Sequence, residues 1–358
     1  MVLNGSSSKY LPIESGVPQG SVLGPILFLI MISDIDHELK HSSVSSFADD
    51  SKVSHIIKLK EDCLELQHSL NTIYNWSSEN NLSFNELKFV ALRYGDNKDV
   101  INSFNYSTPS GELIPNEEYT RDLGIQMSRD LKFKQQISTV ATRCRSLSAW
   151  ILRTFNTREI DPMMTLYNSL LLPRIDYCSQ LWAPHTITDW NELEAIQRRF
   201  TYRITDVKEL DYWCRLRALR LYSLERRTER YKIIYVWKIM EKLAPNLAAN
   251  RINTKISERR GRYCLIPKIA KHCSARVKTL REHSFSIHAP KLFNSMPKHI
   301  RDISDVSVDT FKYHLDKLLA TIPDEPSVPG YAKQRAANTN SLLDQISNIG
   351  GGDLRSRP

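Results

Sequence analysis

Apolar side chains recur at intervals of three and four residues over much of the chain, which is the spacing of one helix face. The pattern predicts amphipathic helices over residues 61–80, 137–155, 163–172, 190–204, 216–243 and 308–319. An earlier helix, over residues 22–30, is apolar nearly all round and is therefore predicted to be buried. Ser21 is placed to cap this helix, and Pro25 falls in the first turn, where proline is tolerated.

Strand-forming residues alternate with turn residues in the first third of the chain. Residues 44–48 are predicted to enter a turn at Asp49-Asp50, and residues 52–57 to form the return strand. Residues 88–94 predict another strand, followed by short antiparallel strands up to residues 123–127. With the helix over residues 61–80 packed on a sheet, residues 1–130 are predicted to form an α+β unit.

The remaining chain is predicted to be mainly helical. We expect a helical domain over residues 131–245 and a basic C-terminal domain over residues 246–323. Residues 324–358 are rich in Pro, Gly, Ser and Asn, which predicts a disordered tail.

Charge is distributed unevenly along this sequence. The chain carries a formal net charge of +9, but residues 1–120 have a net charge of −8 and residues 121–320 a net charge of +17. A domain with that excess of Lys and Arg suits a polyanionic partner, because each neutralised phosphate releases counterions. A generally basic surface explains the same numbers, so charge alone leaves nucleic-acid binding open.

The cysteine pattern and the longest apolar run indicate in which cellular compartment the protein is expected. The six cysteines are scattered without a CxxC pair, which indicates reduced thiols and an intracellular protein of the nucleus or cytoplasm. The longest apolar run, residues 26–32, is too short to cross a bilayer, and no secretory leader is recognisable. A zinc site among Cys264, His272, Cys273, His283 and His288 is not expected, since their spacings fit no finger pattern.

Two adjacent carboxylates and a glycine-rich loop are the candidate chemical groups. Asp49 and Asp50 at a hairpin tip would repel each other unless a cation lies beside them, and a divalent metal ion is the usual solution. An ordinary exposed turn is the alternative. The glycines at positions 16, 20 and 24 allow close approach of a ligand to the backbone, and the Gln19 amide can both donate and accept hydrogen bonds.

Several motifs in order match one family. Residues 16–25, GVPQGSVLGP, are followed by Phe47-Ala48-Asp49-Asp50, by Leu82-Ser83-Phe84-Asn85 with Lys88, and by Tyr119 and Leu123-Gly124-Ile125. This series resembles the reverse transcriptases of non-LTR (LINE-type) retrotransposons, the jockey-like group in particular. The resemblance extends to about residue 323 through residues 173–177, 216–227 and 285–297, which are similar to the thumb and C-terminal region of such polymerases.

The resemblance implies a fold and a role for each matching residue. It implies part of a polymerase palm, with an antiparallel sheet and packed helices, followed by a mainly α-helical thumb and C-terminal domain. Asp49 and Asp50 would bind Mg²⁺ (or Mn²⁺), and Pro18, Gln19 and Gly20 would lie against nucleotide and template. Lys88 would assist departure of pyrophosphate, and Leu123 and Gly124 would hold the primer end. The implied partners are an RNA template, a DNA primer and a dNTP, with no membrane.

One departure from the family pattern limits this expectation. Family members carry fingers and an aspartate-bearing palm motif before the glycine loop, and no residue before Gly16 matches that motif. The sequence therefore predicts a polymerase fragment that is inactive alone, because the metal site lacks a shared ligand. Two alternatives stay open: a nucleic-acid-binding remnant without catalysis, and a chain that does not fold stably.

Overall fold

The computed structural model describes residues 2–3, 5–7, 9, 16–95, 104–246, 252–269, 273–329 and 340–346. Within this part of the chain, helices and small two-stranded sheets form two compact units, Met1–Thr120 and Arg121–Pro358. The mixture agrees with the predicted α+β class.

The first unit contains two helices and short strand pairs. Its helices are α1 (Gly24–Met31) and α2 (Lys60–Glu79), and a 3₁₀ turn covers Glu86–Lys88. The strands are β1 (Val2–Leu3), β2 (Ser6–Ser7), β3 (Ser43–Phe47), β4 (Asp50–Ser54), β5 (Ala91–Leu92) and β6 (Asn116–Glu117), paired β1-β2, β3-β4 and β5-β6. The described strands form separate two-stranded sheets; β1-β2 and β3-β4 are antiparallel, in line with the predicted antiparallel sheet, whereas β5 pairs with β6 in parallel.

The helix predicted over residues 61–80 is confirmed as α2. Asp62 lies in its first turn, where the Oδ2 atom accepts hydrogen bonds from the backbone N–H groups of Lys58 and Leu59 at 2.6 and 2.8 Å. These bonds lower the pKa of Asp62 and satisfy two amides at the helix entrance. Cys63 and Ile73 on the apolar face are buried, as the periodicity requires.

The prediction that the first helix is buried is wrong. Helix α1 forms with Pro25 in its first turn, but Gly24 is its only buried residue. Apolar side chains on all sides are exposed, with Ile30 64% and Leu29 54% accessible. The pattern reported the apolar character of the segment correctly, but burial also needs a neighbouring surface, and the described part of the first unit offers none to this helix.

The second unit is built mainly from helices. They are α3 (Lys134–Thr154), α4 (Ile160–Leu166), α5 (Leu172–Asp176), α6 (Ser179–Trp182), α7 (Ile187–Thr201), α8 (Tyr212–Ala218), α9 (Leu224–Met240), α10 (Ala275–His283), α11 (Phe285–Ser295), α12 (Lys298–Arg301) and α13 (Val308–Leu319). A π-helical turn, Tyr167–Leu171, joins α4 to α5. Strands β7 (Tyr119–Asp122) and β8 (Ile125–Ser128) pair near its start, and β9 (Asn253–Ser257) pairs with β10 (Gly261–Leu265).

The long helix predicted over residues 216–243 is two helices. Helix α8 ends at Ala218, and Arg220 adopts a φ of 54°, a left-handed conformation that interrupts a helix. Helix α9 then starts afresh, with the Ser223 hydroxyl accepting a hydrogen bond from the backbone N–H of Arg226 at 3.2 Å.

Two packed pieces occur where composition predicts a disordered tail. The Asp324 carboxylate accepts hydrogen bonds from the Ser223 N–H at 2.7 Å and from its hydroxyl at 2.6 Å. Further along, Leu342 is fully buried in an apolar cluster with residues of α9, α11 and α13. The structure thus corrects the prediction for residues 324–329 and 340–346, which pack against the helices; the other residues after 329 lie outside the described part.

Two apolar clusters form the core of the second unit. The first joins α3, α4 and α7 through side chains such as Ile137, Met163 and Phe200. The second joins α9, α11 and α13, and there the Trp237 and Phe311 rings stack with centroids 4.4 Å apart. Burial of such large side chains contributes roughly 1.5–3 kcal/mol each.

A buried hydrogen-bond network crosses the first cluster. The Glu194 carboxylate accepts bonds from the Tyr212 hydroxyl, from the Gln197 amide at 3.2 Å and from the Leu224 N–H at 2.9 Å. The Tyr167 hydroxyl donates to Gln197 Oε1 at 2.6 Å. Burial raises the pKa of Glu194 to about 8, so the folded protein holds this carboxyl protonated at neutral pH.

The raised pKa of Glu194 predicts how stability depends on pH. A group whose pKa is raised on folding stabilises the protein fully below its unfolded pKa, and this stabilisation is lost as pH rises through the folded pKa. We expect the free energy of unfolding to fall between about pH 6.5 and pH 8, with a contribution from Glu194 of up to about 1.4 kcal/mol per pH unit. Below about pH 6.5 the lowered pKa values of the buried His185 and His288 act in the opposite sense. Denaturant titrations across this range measure the slope.

Glu194→Gln keeps the shape of the side chain and removes its titration, so it should flatten part of this slope. Glu229, whose pKa burial also raises to about 8, accounts for a further part. Glu209→Gln is the matched control, because the Glu209 side chain is 88% exposed. Equal slopes for Glu194→Gln and the wild type would contradict the assignment.

Candidate functional site

Asp49 and Asp50 lie at the tip of the β3-β4 hairpin. Phe47 pairs with Asp50, which leaves Ala48 and Asp49 as a two-residue turn. Asp50 therefore opens the return strand, and the turn lies one position earlier than predicted. Ala48 adopts a φ of 52°, uncommon for a residue with a side chain. Strained positions of this kind persist where the surrounding fold enforces them, often at functional sites.

Both carboxylates are open to solvent. Asp49 and Asp50 are exposed, and neither side-chain carboxylate makes a hydrogen bond or ion pair with the described residues. In that part of the chain, no third carboxylate, histidine or cysteine comes near enough to complete a three-ligand group with them. The hairpin tip thus carries two exposed carboxylates on consecutive residues.

The glycine loop forms a tight turn before α1. The backbone N–H of Ser21 donates to the Pro18 carbonyl at 3.2 Å, and Gly20 adopts a φ of 83° at the third position of this turn. A turn of this form requires positive φ there, which explains the glycine. No atom lies within 4 Å of a Cβ built on Gly20, so the backbone is open on that side. Pro18 and Gln19 are exposed beside it.

Lys88 ends the 3₁₀ turn Glu86–Lys88 rather than lying on the predicted strand. An aromatic triplet holds this segment to α2: the rings of Tyr74, Phe84 and Phe89 have pairwise centroid distances of 5.5 to 5.9 Å. Burial raises the pKa of Tyr74 to about 12. The Lys88 side chain itself is exposed.

Leu123 and Gly124 form the two-residue turn between β7 and β8. Their φ values are 43° and 88°, the positive pair typical of a tight hairpin turn. The Tyr177 hydroxyl donates a hydrogen bond to the Leu123 carbonyl at 2.8 Å, and its ring lies 3.5 Å from a Cβ built on Gly124. Tyr177 therefore stabilises this turn through one hydrogen bond and the packing of its ring.

Tyr177 is itself next to a strong ion pair. The Arg227 guanidinium donates two hydrogen bonds at 2.9 Å and one at 2.8 Å to the Asp176 carboxylate, and the Tyr231 hydroxyl donates another at 3.0 Å. This pairing raises the pKa of Arg227 despite its burial. The pair anchors the segment bearing Tyr177 to α9, a link that sequence analysis missed because the residues are about fifty positions apart.

Within the described residues, no hydrogen bond or ion pair joins the glycine turn, the hairpin tip and Lys88. The three lie in the first unit, and Leu123-Gly124 in the second. A three-ligand group that the sequence did not suggest consists of His55, Asp62 and Glu65. Because Asp62 already accepts the amides at the start of α2, this group is explained as a helix cap.

The structure describes four of the five residues considered for a zinc site. Cys264 is buried, and burial raises the pKa of its thiol to about 12. His272 lies outside the described part of the chain, and no group of three ligands includes Cys273, His283 or His288. No described helix is both long and apolar enough to cross a bilayer.

The candidate residues of the first unit and the β7-β8 turn fall in a segment that matches a known family. Residues 1–127 match the family described as reverse transcriptase (RNA-dependent DNA polymerase). That segment contains the glycine turn, Asp49, Asp50, Lys88 and the Leu123-Gly124 turn.

Curated relatives of the chain are RNA-directed DNA polymerases of mobile elements. The chain is 25% identical over 218 residues to the RNA-directed DNA polymerase from mobile element jockey of Drosophila funebris, and 26% identical over 216 residues to that of Drosophila melanogaster. It is also 25% identical over 206 residues to the probable RNA-directed DNA polymerase from transposon X-element of Drosophila melanogaster. These alignments cover 56%, 57% and 54% of this chain.

The comparisons confirm the resemblance to jockey-like non-LTR reverse transcriptases. The alignments cover only 23%, 23% and 22% of the three relatives, so the chain spans less than a quarter of their length. No solved structure matches the chain.

Removing the Tyr177 hydroxyl tests whether its hydrogen bond to Leu123 stabilises the turn at residues 123–124. Tyr177→Phe should lose one hydrogen bond, with a net effect of about 1 kcal/mol on the local opening free energy. Hydrogen exchange of the Gly124 and Ile125 amides should then be about fivefold faster. Tyr313→Phe, at a side chain 65% exposed on α13, is the control and should leave these amides unchanged. Equal exchange in both variants would contradict a supporting role.

Proposed function

We propose that this chain carries part of the active site of an RNA-directed DNA polymerase of a jockey-like non-LTR element. The first unit would form part of the palm, and the helices of the second unit would form the thumb and C-terminal domain. The observation that carries this proposal is the Asp49-Asp50 hairpin tip, which lies in the segment matching the reverse transcriptase family.

The hairpin tip suits a hard divalent cation. Carboxylate oxygens are the ligands that Mg²⁺ and Mn²⁺ prefer, and Asp49 and Asp50 supply two such groups at an exposed position. Mg²⁺ commonly keeps several waters and takes further ligands from substrate phosphates, so two protein carboxylates fit the donor set. When bound, such ions stabilise the charge that develops on a phosphoryl group during transfer.

The other matching residues would orient the substrates. The open backbone at Gly20 and the Gln19 amide would lie against the incoming dNTP and the RNA template, and Leu123-Gly124 would hold the DNA primer end. The primer 3′-hydroxyl would lose its proton to water as its oxygen bonds to the α-phosphorus of the dNTP, and the bond between that phosphorus and the pyrophosphate oxygen would break. Lys88, exposed at the end of its turn, would donate a proton to the leaving oxygen.

The chain alone is proposed to be inactive. A two-metal site needs ligands shared between the ions, and the described residues bring no third carboxylate to Asp49 and Asp50. Loss of such a ligand should abolish phosphoryl transfer rather than reduce it.

Metal binding and catalysis can be measured separately. Mn²⁺ titration should broaden the amide signals of residues 48–51 in NMR spectra of the wild type, and Asp49→Asn should remove this broadening. Asp309→Asn is the control, because the Asp309 side chain is 89% exposed on helix α13, away from the hairpin in the chain. Equal broadening in Asp49→Asn and the wild type would contradict the metal site.

Primer extension on an RNA template with Mg²⁺ tests the second half of the proposal. The chain alone should incorporate no dNTP. Incorporation that Asp49→Asn abolishes would show a complete active site and overturn the proposed inactivity, while strengthening the assignment of Asp49.

A nucleic-acid-binding remnant is the second candidate, favoured by the net charge of +17 over residues 121–320. In that case RNA or DNA would bind with strong salt dependence, and neither Mn²⁺ broadening at the hairpin nor dNTP incorporation would be observed.

A further inference from the structure

A pocket in the second unit is lined by five arginines. It lies between α3, α7 and α8 and has a volume of about 480 Å³. The side chains on which the inference rests are Arg145, Arg198, Arg199, Arg203, Arg215 and Tyr202. We call this the arginine pocket; it is separate from the residues that match the reverse transcriptase family.

The positive charge of the pocket is only partly balanced. Arg145 pairs with Glu192 at 2.7 Å, and both side chains are partly exposed. The side chains of Arg199 and Arg203 are exposed and make no hydrogen bond or ion pair with the described residues. Guanidinium groups stay protonated at every physiological pH, so this wall of the pocket carries a permanent positive charge.

The pocket wall also contains a buried guanidinium, two of whose nitrogen atoms lack a hydrogen-bond partner. Arg215 is 1% exposed, and its Nη1 atom donates to the carbonyls of Lys208 and Leu210 at 3.4 and 3.3 Å. Its Nε and Nη2 atoms have no hydrogen-bond partner, although both are buried. A buried charged group without full hydrogen bonding is costly. An anion in the pocket would reduce that cost by Coulomb attraction to the guanidinium.

Tyr202 adds an aromatic surface to the same pocket. Its ring lies over the Arg215 guanidinium, 5.4 Å from centroid to Cζ, and the residue remains 54% exposed. Phosphate-binding arginines beside an exposed aromatic ring are the combination that holds single-stranded nucleic acid, where phosphates contact the charges and a base stacks on the ring.

We propose that the arginine pocket binds single-stranded nucleic acid, with Arg199 and Arg203 on backbone phosphates and a base stacked on Tyr202. The volume accommodates one nucleotide, and the net charge of +17 over residues 121–320 attracts the rest of the strand. Only the choice of nucleic acid over another polyanion rests on the proposed function, and no metal or catalysis is involved.

The test is binding of a fluorescent twelve-nucleotide RNA to the full chain, measured by anisotropy in EDTA. Arg199→Gln with Arg203→Gln should weaken binding about 10-fold or more at low salt. It should also lower the slope of log affinity against log salt by about 1.4, the value for two single-strand phosphates. Arg259→Gln with Arg260→Gln removes the same charge on the β9-β10 turn, outside the pocket, and should leave most of the affinity intact.

Tyr202 provides a readout that charge alone does not give. Tyr202→Ala should weaken RNA binding about 5-fold or more, and Tyr202→Phe should retain it, because stacking needs the ring and not the hydroxyl. Equal effects of the two arginine pairs would overturn the proposal, as would wild-type binding by Tyr202→Ala.

Competition identifies the ligand class. Unlabelled single-stranded RNA should displace the probe at far lower concentrations than inorganic phosphate, polyglutamate or duplex DNA. Displacement by polyglutamate at the same concentration would show an acidic peptide site, and equal displacement by phosphate would show a simple anion site; either result overturns the proposal. Because EDTA removes divalent ions, a negative result here leaves the hairpin metal site untouched, and the converse also holds.

Discussion

The second unit depends on one buried carboxyl group. Glu194 accepts hydrogen bonds from α8 and from the first residue of α9 while it sits on α7, so three helices are held by one side chain. Its burial is tolerated because both carboxyl oxygens have hydrogen-bond partners in the network. Helix α7 turns its other face outward, and there Arg199 joins the arginine pocket. The same helix thus fixes the core on one side and presents charge on the other.

The first unit is organised by local geometry instead. Its strands pair two by two, and α1 leaves apolar side chains exposed. The β3-β4 hairpin nevertheless has a defined tip, because a two-residue turn sets the register of the strands that it joins. The position of Asp49 beside Asp50 therefore follows from short-range interactions and does not require a large core.

Sequence periodicity predicted amphipathic helices such as α2 correctly, because the spacing of their apolar residues indicates which face is buried. Helices α2 and α13 were found within about two residues, since one apolar face met a neighbour. The pattern failed where the answer depends on another part of the chain. It could not show that α1 lacks a covering surface, that Arg220 leaves the helical region of φ, or that residues 253–265 form a hairpin.

The same division holds for the candidate sites. Asp49, Asp50 and Gly20 are close in sequence and carry a recognisable motif, so they could be identified without coordinates. Tyr177 could not, because its partner Leu123 is 54 residues away. The arginine pocket was missed for the same reason: its residues come from three separate helical stretches, and only their total charge was visible beforehand.

The raised pKa values of the buried carboxyls make folding of the second unit a proton-uptake reaction. Near pH 7, Glu194 and Glu229 are ionised in the unfolded chain and protonated in the folded one. His185 and His288, whose pKa values burial lowers to about 4 and about 3, act in the opposite sense, chiefly below pH 6.5. The heat of folding therefore includes the ionisation heat of whichever buffer supplies those protons.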